Sequence, residues 1–173
     1  MNLNEMLAEK KKEILSIWID RTLDSYSSSE FFKRSADRFA NPVGMGIREG
    51  LTRLFELLLE AAPAEAYLAP LDKVMRIRAV QDFTPANALA PILELKWVTR
   101  QVLKQKSVQV AGGQLDRFDC DVDRMALMAF DCYVQCREML YRNRIGELKS
   151  GRHMFVDNGC PSALLKKENS TAS

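Results

Sequence analysis

Residues 115–139 read LDRFDCDVDRMALMAFDCYVQCREM, and the apolar side chains in this stretch recur at alternating intervals of three and four residues. That spacing lines one stripe of an α-helix and is incompatible with the two-residue period of a β-strand. It also forms a heptad seam, which faces either a partner helix or the protein's own core. We therefore predict a long last helix from Leu115 to Leu148. The seam residues are Leu115, Phe118, Val122, Met125, Ala129, Cys132, Cys136 and Met139.

The same helical spacing recurs upstream of this stretch. Asn41-Pro42 can cap and begin a helix, because asparagine accepts from free amides and proline fits the first turn. Thr84-Pro85 repeats the device and begins another helix, which we expect to end at the left-handed cap formed by Gly112-Gly113. The helix after Pro42 carries its apolar face on Val43, Ile47, Leu51, Leu54, Phe55 and Leu58.

Three further helices complete the prediction. The first runs from Asn4 to Ser25, a short second one covers Glu30 to Arg38, and a fourth follows Pro63 up to Asp82. The sum is an all-α, single compact domain of about six helices over residues 1–149, with an irregular, partly disordered tail over residues 150–173. The first helix buries Leu7, Ile14, Leu15, Trp18 and Leu23, and the fourth buries Leu68, Leu71, Met75 and Ala79.

Composition and charge exclude several function classes. The 173 residues are 47% hydrophobic and 28% charged, with a formal net charge of +2, which is too near balance to predict a nucleic-acid partner. The most apolar stretch, Leu51 to Ala64, contains three charged residues and is too short to span a membrane. The N-terminus lacks the apolar run of a signal peptide. We expect a cytoplasmic protein that binds neither nucleic acid nor membrane.

Residues that carry chemistry are sparse. The sequence has four cysteines and one histidine, His153, which is too few imidazole ligands for a zinc site. It has no phosphate-binding glycine loop and no calcium-loop spacing. The pair Cys160-Pro161 resembles the motif of some haem-responsive regulators, but two residues are a weak signal. We expect free thiols, no catalytic residue, no metal and no cofactor, and hence a non-enzymatic protein.

Three charged residues near a predicted corner are candidates for a ligand site. Lys96 falls inside the apolar arc of its helix, and Arg78 lies on the apolar side of the preceding helix with Asp82 one turn away. A buried cation is costly unless it is paired. These residues either line a polar pocket for an anionic ligand or form a structural network that joins the two helices.

Cys132 and Cys136 are one turn apart on the seam of the last helix. Such a pair suggests a metal site or a redox couple, and the neighbouring Arg137 could lower a thiol pKa. The alternative is that these small side chains permit close helix packing, since buried cysteine behaves as a small hydrophobe. Rapid labelling of either thiol in the native protein would contradict the packing interpretation.

Two segments, RFANPVG at Arg38–Gly44 and IRAVQDFTPANAL at Ile77–Leu89, occur together with a spaced pattern in the last helix. Together they resemble the RsbRD-type N-terminal domain, a helical module of RsbT co-antagonist proteins that also precedes some sensor kinases. The resemblance covers residues 10–149. The spaced pattern consists of Asp131, Tyr133, Cys136-Arg137, Tyr141, Arg144 and Glu147-Leu148.

The resemblance implies a bacterial, cytoplasmic sensory or regulatory domain that feeds a signal to an output such as a STAS domain, and a globin-like helix arrangement without haem. Because residues 150–173 are too few for such an output, we expect a separate protein partner or self-association as a homodimer through the last helix. The alternative is a ligand-binding or redox-responsive sensor that uses either the charged cluster or the seam cysteines.

Overall fold

The computed structural model describes residues 2–34, 39–81, 83–105 and 112–150, and every regular element in these ranges is an α-helix. The predicted all-α class is therefore confirmed, and so is the long last helix. The helices are α1 (Leu3–Glu9), α2 (Lys11–Asp24), α3 (Ser29–Arg34), α4 (Pro42–Leu59), α5 (Ala64–Ala79), α6 (Pro85–Gln105) and α7 (Gly112–Lys149).

The predicted first helix is two helices. The chain bends at Lys10, whose φ of −94° and ψ of 6° depart from helical values, while the Ile14 amide still donates to the Lys10 carbonyl. The bend lets α1 pack on α4 with Leu3, Met6 and Leu7 while α2 packs on α4 and α6. α1 is also stabilised by a capping box between Asn2 and Glu5.

The Asn41-Pro42 helix start is confirmed. The Asn41 side chain accepts from the Gly44 amide at 2.8 Å and donates to the Phe32 carbonyl of α3 at 2.8 Å. Gly44 is required at this position, because a Cβ there would lie 2.7 Å from that carbonyl oxygen. Asn41 and Gly44 of the RFANPVG segment thus hold the start of α4 against α3. The predicted end of the short second helix at Arg38 falls outside the described residues.

Two helix boundaries and one core residue of the prediction are wrong. Gly112-Gly113 do not cap α6 but belong to the first turn of α7, a place where glycine is also tolerated. Leu68 does not face the core: its side chain is 49% exposed, and Tyr67 is buried in its place. α5 also ends at Ala79, three residues before the predicted end.

The core collects side chains from α1, α2 and α4 to α7, with Trp18, Arg78 and Phe55 among its largest fully buried members. The Trp18 indole donates to the Pro91 carbonyl at 2.6 Å and so joins α2 to α6. The predicted seam of α7 is buried or half-buried up to Cys136, whereas Met139 is half exposed. The seam therefore faces the protein's own core over this length.

The chain divides into two compact units, Met1–Cys136 and Arg137–Ser173. The first contains the core, and the described part of the second is the C-terminal segment of α7 with Ser150. The division expected at residue 149 and the globin-like arrangement stay predictions. None of the described helices is both long and apolar enough to cross a membrane.

Candidate functional site

Arg78 is the centre of a buried polar cluster that joins α5, α6 and the end of α2. Its side chain is fully buried, and its guanidinium donates to the Ala88 carbonyl at 2.8 Å, the Asn87 carbonyl at 2.8 Å and the Ser25 hydroxyl at 3.2 Å. Pro91 explains one of these bonds. Because proline has no amide hydrogen, it cannot donate to the Asn87 carbonyl within α6, and Arg78 supplies the missing donor.

Two aromatic rings complete the Arg78 cluster. The guanidinium carbon lies 4.3 Å from the centre of the Phe83 ring and 5.2 Å from that of Tyr26. Burial lowers the pKa of Arg78 and raises the pKa of Tyr26, because the charged form of each group is poorly solvated there. The hydrogen bonds satisfy the guanidinium within the protein, so the geometry favours the structural network over an anion pocket at Arg78.

Lys96 belongs to a different set of contacts. It forms an ion pair of 2.5 Å with Asp123 of α7, and one turn further along α6, Arg100 forms a two-point ion pair with Asp119. The order of these pairs shows that α6 and α7 are antiparallel here. Asp82 lies outside the described residues. The structure thus gives Arg78 and Lys96 separate partners, and ligand binding at the three predicted residues stays a prediction.

Cys132 and Cys136 are both buried on the inner face of α7. Burial raises the pKa of each thiol, and the Asp72 carboxylate raises both further, with the Cys136 sulfur 3.9 Å from an oxygen of Asp72. Since the thiolate is the reactive form, both effects disfavour redox chemistry and metal binding. The arrangement matches the packing alternative. Within the described ranges, no three His, Cys, Asp or Glu side chains are grouped to hold a metal ion.

A cleft that the sequence analysis did not identify lies between the α4–α5 corner and α7. It consists of two neighbouring recesses of about 280 and about 270 Å³ that share Leu58, Ala61, Arg117 and Asp121 in their walls. Ala61 has a left-handed φ of 47°, which turns the chain from α4 towards α5 beside the cleft. Tyr67, Met125 and Met128 line the second recess, together with Leu58, Ala61, Ala62, Ala64, Arg117, Asp121 and Arg124.

The only sequence signal for this cleft was a charged stripe beside the seam. Arg117, Asp121 and Arg124 follow one another at intervals of four and three residues, which is usually the pattern of a solvated helix face. Arg124 and Asp121 form a long ion pair of 3.5 Å. Among the described residues, Arg117 has neither an ion-pair nor a hydrogen-bond partner.

A second surface is apolar and formed by α6 and α7. We call Leu93, Trp97, Leu127 and Phe130 the α6–α7 face, and their exposed fractions lie between 45% and 68%. Because the two helices are antiparallel, Leu93 lies at the level of Leu127, one turn beyond the Lys96–Asp123 pair. The Arg21 guanidinium lies 4.5 Å from the centre of the Trp97 ring. Exposed aromatic and aliphatic groups of this kind are typical of protein interfaces.

Comparison with known proteins gives a match to a protein family. A family model described as the RsbT co-antagonist protein rsbRD N-terminal domain matches residues 12–148, which is more than half of the chain. No curated protein and no solved structure matches the chain.

Proposed function

The chain belongs to the RsbT co-antagonist protein rsbRD N-terminal domain family, and from this premise we propose that it regulates a separate protein by binding it. The family consists of regulatory domains of stress signalling by partner switching. The family match over residues 12–148 is the observation that carries the proposal. The partner we propose is RsbT, the protein that the family's description names.

The α6–α7 face supports the proposal with a surface of suitable chemistry. Trp97 and Phe130 offer aromatic anchors, and aromatic residues contribute a large share of binding energy in protein interfaces. The ion pairs of Lys96 with Asp123 and of Arg100 with Asp119 join α6 to α7 next to Trp97. A partner bound there would therefore respond to a shift of either helix, which is how we propose that the domain transmits its signal.

The proposed role is non-enzymatic. The family is a regulatory one, and the buried guanidinium of Arg78 already donates to two backbone carbonyls and one hydroxyl within the protein. We also propose a cytoplasmic location. The free thiols of Cys120, Cys132 and Cys136 are of the kind found in proteins of reducing compartments.

Isothermal titration calorimetry tests the proposal. Purified bacterial RsbT is titrated into the 173-residue chain, and the heat of binding is measured. We expect saturable binding, and we expect Leu127→Glu to weaken it at least tenfold because a carboxylate would be desolvated in the interface. Leu127 is 68% exposed, so the substitution should leave the free protein folded.

The matched control is Leu68→Glu, since Leu68 is also exposed but lies on α5, away from the α6–α7 face. This variant should bind like the wild-type chain. Absence of saturable binding to RsbT would overturn the proposed partner, and equal binding by both glutamate variants would overturn the proposed surface.

The alternative function is a sensor of ligands or redox state. The burial and raised pKa of Cys132 and Cys136 weigh against the redox form. The ligand form is supported by the cleft beside Arg117 rather than by Arg78 or Lys96.

A further inference from the structure

We propose that the cleft between the α4–α5 corner and α7 binds a small amphipathic carboxylic acid. Its carboxylate would pair with Arg117 and Arg124, and its alkyl or aryl part would enter the recess lined by Leu58, Met125 and Met128.

The side-chain charges of the cleft favour an anion. Among the residues that line the second recess, Arg117 and Arg124 carry two positive charges against the single negative charge of Asp121. The carboxylate of Glu60 also acts on Tyr67 in this wall, but it is paired with Arg53 at 3.1 Å. Asp121 satisfies Arg124 through one long contact of 3.5 Å, and Arg117 has no partner among the described residues. The ends of α4 and α5 meet at this corner with opposite dipoles, which largely cancel, so the side chains determine the sign of the local field. A guanidinium binds a carboxylate well because two parallel hydrogen bonds fit its planar fork.

The walls of the cleft require an apolar part in the same ligand. Leu58 is half-buried, Met125 is almost fully buried, and Met128 is half-buried against the core. Methionine side chains adapt to irregular ligand shapes because they are flexible and polarizable. The recess of about 270 Å³ is at the lower limit of drug-sized pockets, so the ligand must be small.

The site also connects to the core. Met125 belongs to the buried seam of α7, and Phe118 of the same seam lines the neighbouring recess. A ligand in the cleft would therefore contact residues that fix α7 against the core. The inference rests on the proposed regulatory function, because the bound ligand would be the signal that the domain responds to. Its test measures ligand binding alone and does not involve RsbT.

The test uses octanoate as the probe and the 173-residue chain with ¹³C-labelled methionine methyl groups. Titration monitored by NMR should shift the Met125 and Met128 methyl signals saturably, with a Kd of about 1 mM or lower for a ligand of this size. Octylammonium, which has the same alkyl chain and the opposite charge, should bind at least tenfold more weakly.

Two variants locate the site. Arg117→Gln should raise the Kd for octanoate at least tenfold, and Ala64→Trp should do the same by filling the recess while keeping both arginines. Arg34→Gln on α3, which removes an exposed arginine paired with Glu30, should leave the Kd unchanged.

Octanoate shifts that do not saturate, or a Kd unaffected by Arg117→Gln, would overturn the inference. Neither result would change the conclusion about RsbT binding, which is measured separately. Conversely, a chain that binds octanoate but not RsbT would contradict the proposed partner and leave the proposed ligand site intact. The two proposals therefore fail separately.

Discussion

Arg78 shows how one side chain can replace a missing backbone donor. Pro91 deprives the Asn87 carbonyl of its partner inside α6, and the guanidinium reaches from α5 to satisfy it. The Asn87 carbonyl is part-buried and the neighbouring Ala88 carbonyl is buried, and a buried carbonyl left without a donor costs about 1–3 kcal/mol. The charge itself is costly to bury, but the Ala88 carbonyl, the Ser25 hydroxyl and two aromatic faces compensate for the lost water.

We predict that Arg78→Met lowers the free energy of unfolding by about 2–4 kcal/mol, because the buried Ala88 carbonyl and the part-buried Asn87 carbonyl would each lose a donor. Urea unfolding followed by circular dichroism measures the change. Arg76→Met is the matched control on the same helix: Arg76 forms an exposed ion pair with Asp72, and its loss should cost less than about 1 kcal/mol. Wild-type stability of Arg78→Met would mean that desolvation of the charge cancels its hydrogen bonds.

Because Cys132 and Cys136 are buried in α7, we predict that the free energy of unfolding decreases at alkaline pH. The folded-state pKa values of Cys132 and Cys136 are raised, so their stabilising effect is complete below the unfolded thiol pKa and disappears as the pH rises through the folded value.

In a Cys120→Ser, Cys160→Ser variant, we expect the two remaining thiols to react with a chromogenic disulfide reagent slowly at pH 8 and rapidly after denaturation.

The control is the chain that keeps Cys120 and has the other three cysteines replaced by serine, since Cys120 is exposed and should react at once. Equal rates for Cys120 and the seam thiols in native protein would contradict the burial of Cys132 and Cys136.

At the scale of the helices, glycines set the distance between α4 and α5. A Cβ on Gly50 would collide with Cγ2 of Val74, and a Cβ on Gly46 would lie 2.6 Å from Cδ1 of Ile77. The two collisions differ in kind. Val74 is fully buried, and β-branching makes its χ1 stiff, whereas Cδ1 is the far end of the Ile77 side chain, which is half-buried and can rotate.

We predict that Gly50→Ala destabilises the protein by about 1–3 kcal/mol, because overpacking against Val74 exceeds the gain in helix propensity. Gly46→Ala should be nearly neutral, since movement of Ile77 relieves the collision and the propensity gain remains. Thermal unfolding of the two variants and the wild type measures the difference. A melting temperature of Gly50→Ala equal to that of Gly46→Ala would show that α5 moves away from α4 without cost.

Helix positions could be predicted from the sequence wherever periodicity and capping residues agree, as at Asn41-Pro42 and Thr84-Pro85. Errors arose where a local signal has two meanings. Gly112-Gly113 is compatible by composition with both the end of one helix and the start of the next. The bend at Lys10 depends on tertiary packing, because α1 packs on α4 while α2 packs on both α4 and α6. Neither distinction can be made from neighbouring residues.

The candidate sites differ in predictability for the same reason. The role of Arg78 in joining two helices could be foreseen because Asn87 and Ala88 lie only one corner away in sequence. The cleft could not, because Leu58 and Arg117 are 59 residues apart and meet only in the folded chain. A charged stripe on α7 has the same pattern whether it faces water or a recess.

For the molecule as a whole, the segments that carry the family resemblance maintain the fold. Asn41 and Gly44 contribute to the α3–α4 junction, and Ile77–Leu89 contributes Arg78, Phe83 and the two carbonyls that Arg78 donates to. Tyr133, from the spaced pattern in α7, donates to the Phe83 carbonyl at 2.9 Å. These contacts explain why the segments indicate the family so clearly while saying little about a ligand.

Self-association must use residues other than the seam, because the seam up to Cys136 is occupied by the protein's own core. The described part of the second unit exposes Tyr141, Ile145 and Leu148, which share one stripe of α7 at intervals of four and three residues. Such a stripe on an exposed helix is suited to pair with the same stripe of a second copy.

We predict a homodimer whose mass by multi-angle light scattering is about twice 19.7 kDa, and we expect Ile145→Glu to reduce it to that of one chain because two carboxylates would meet in an apolar contact. Leu127→Glu, which alters the α6–α7 face instead, should keep the dimer and weaken RsbT binding at least tenfold. A wild-type mass of one chain at every concentration tested would contradict the dimer. If Ile145→Glu and Leu127→Glu each lost both the dimer and RsbT binding, a single surface would serve both contacts. Two separate surfaces would instead each respond to only one of the two substitutions.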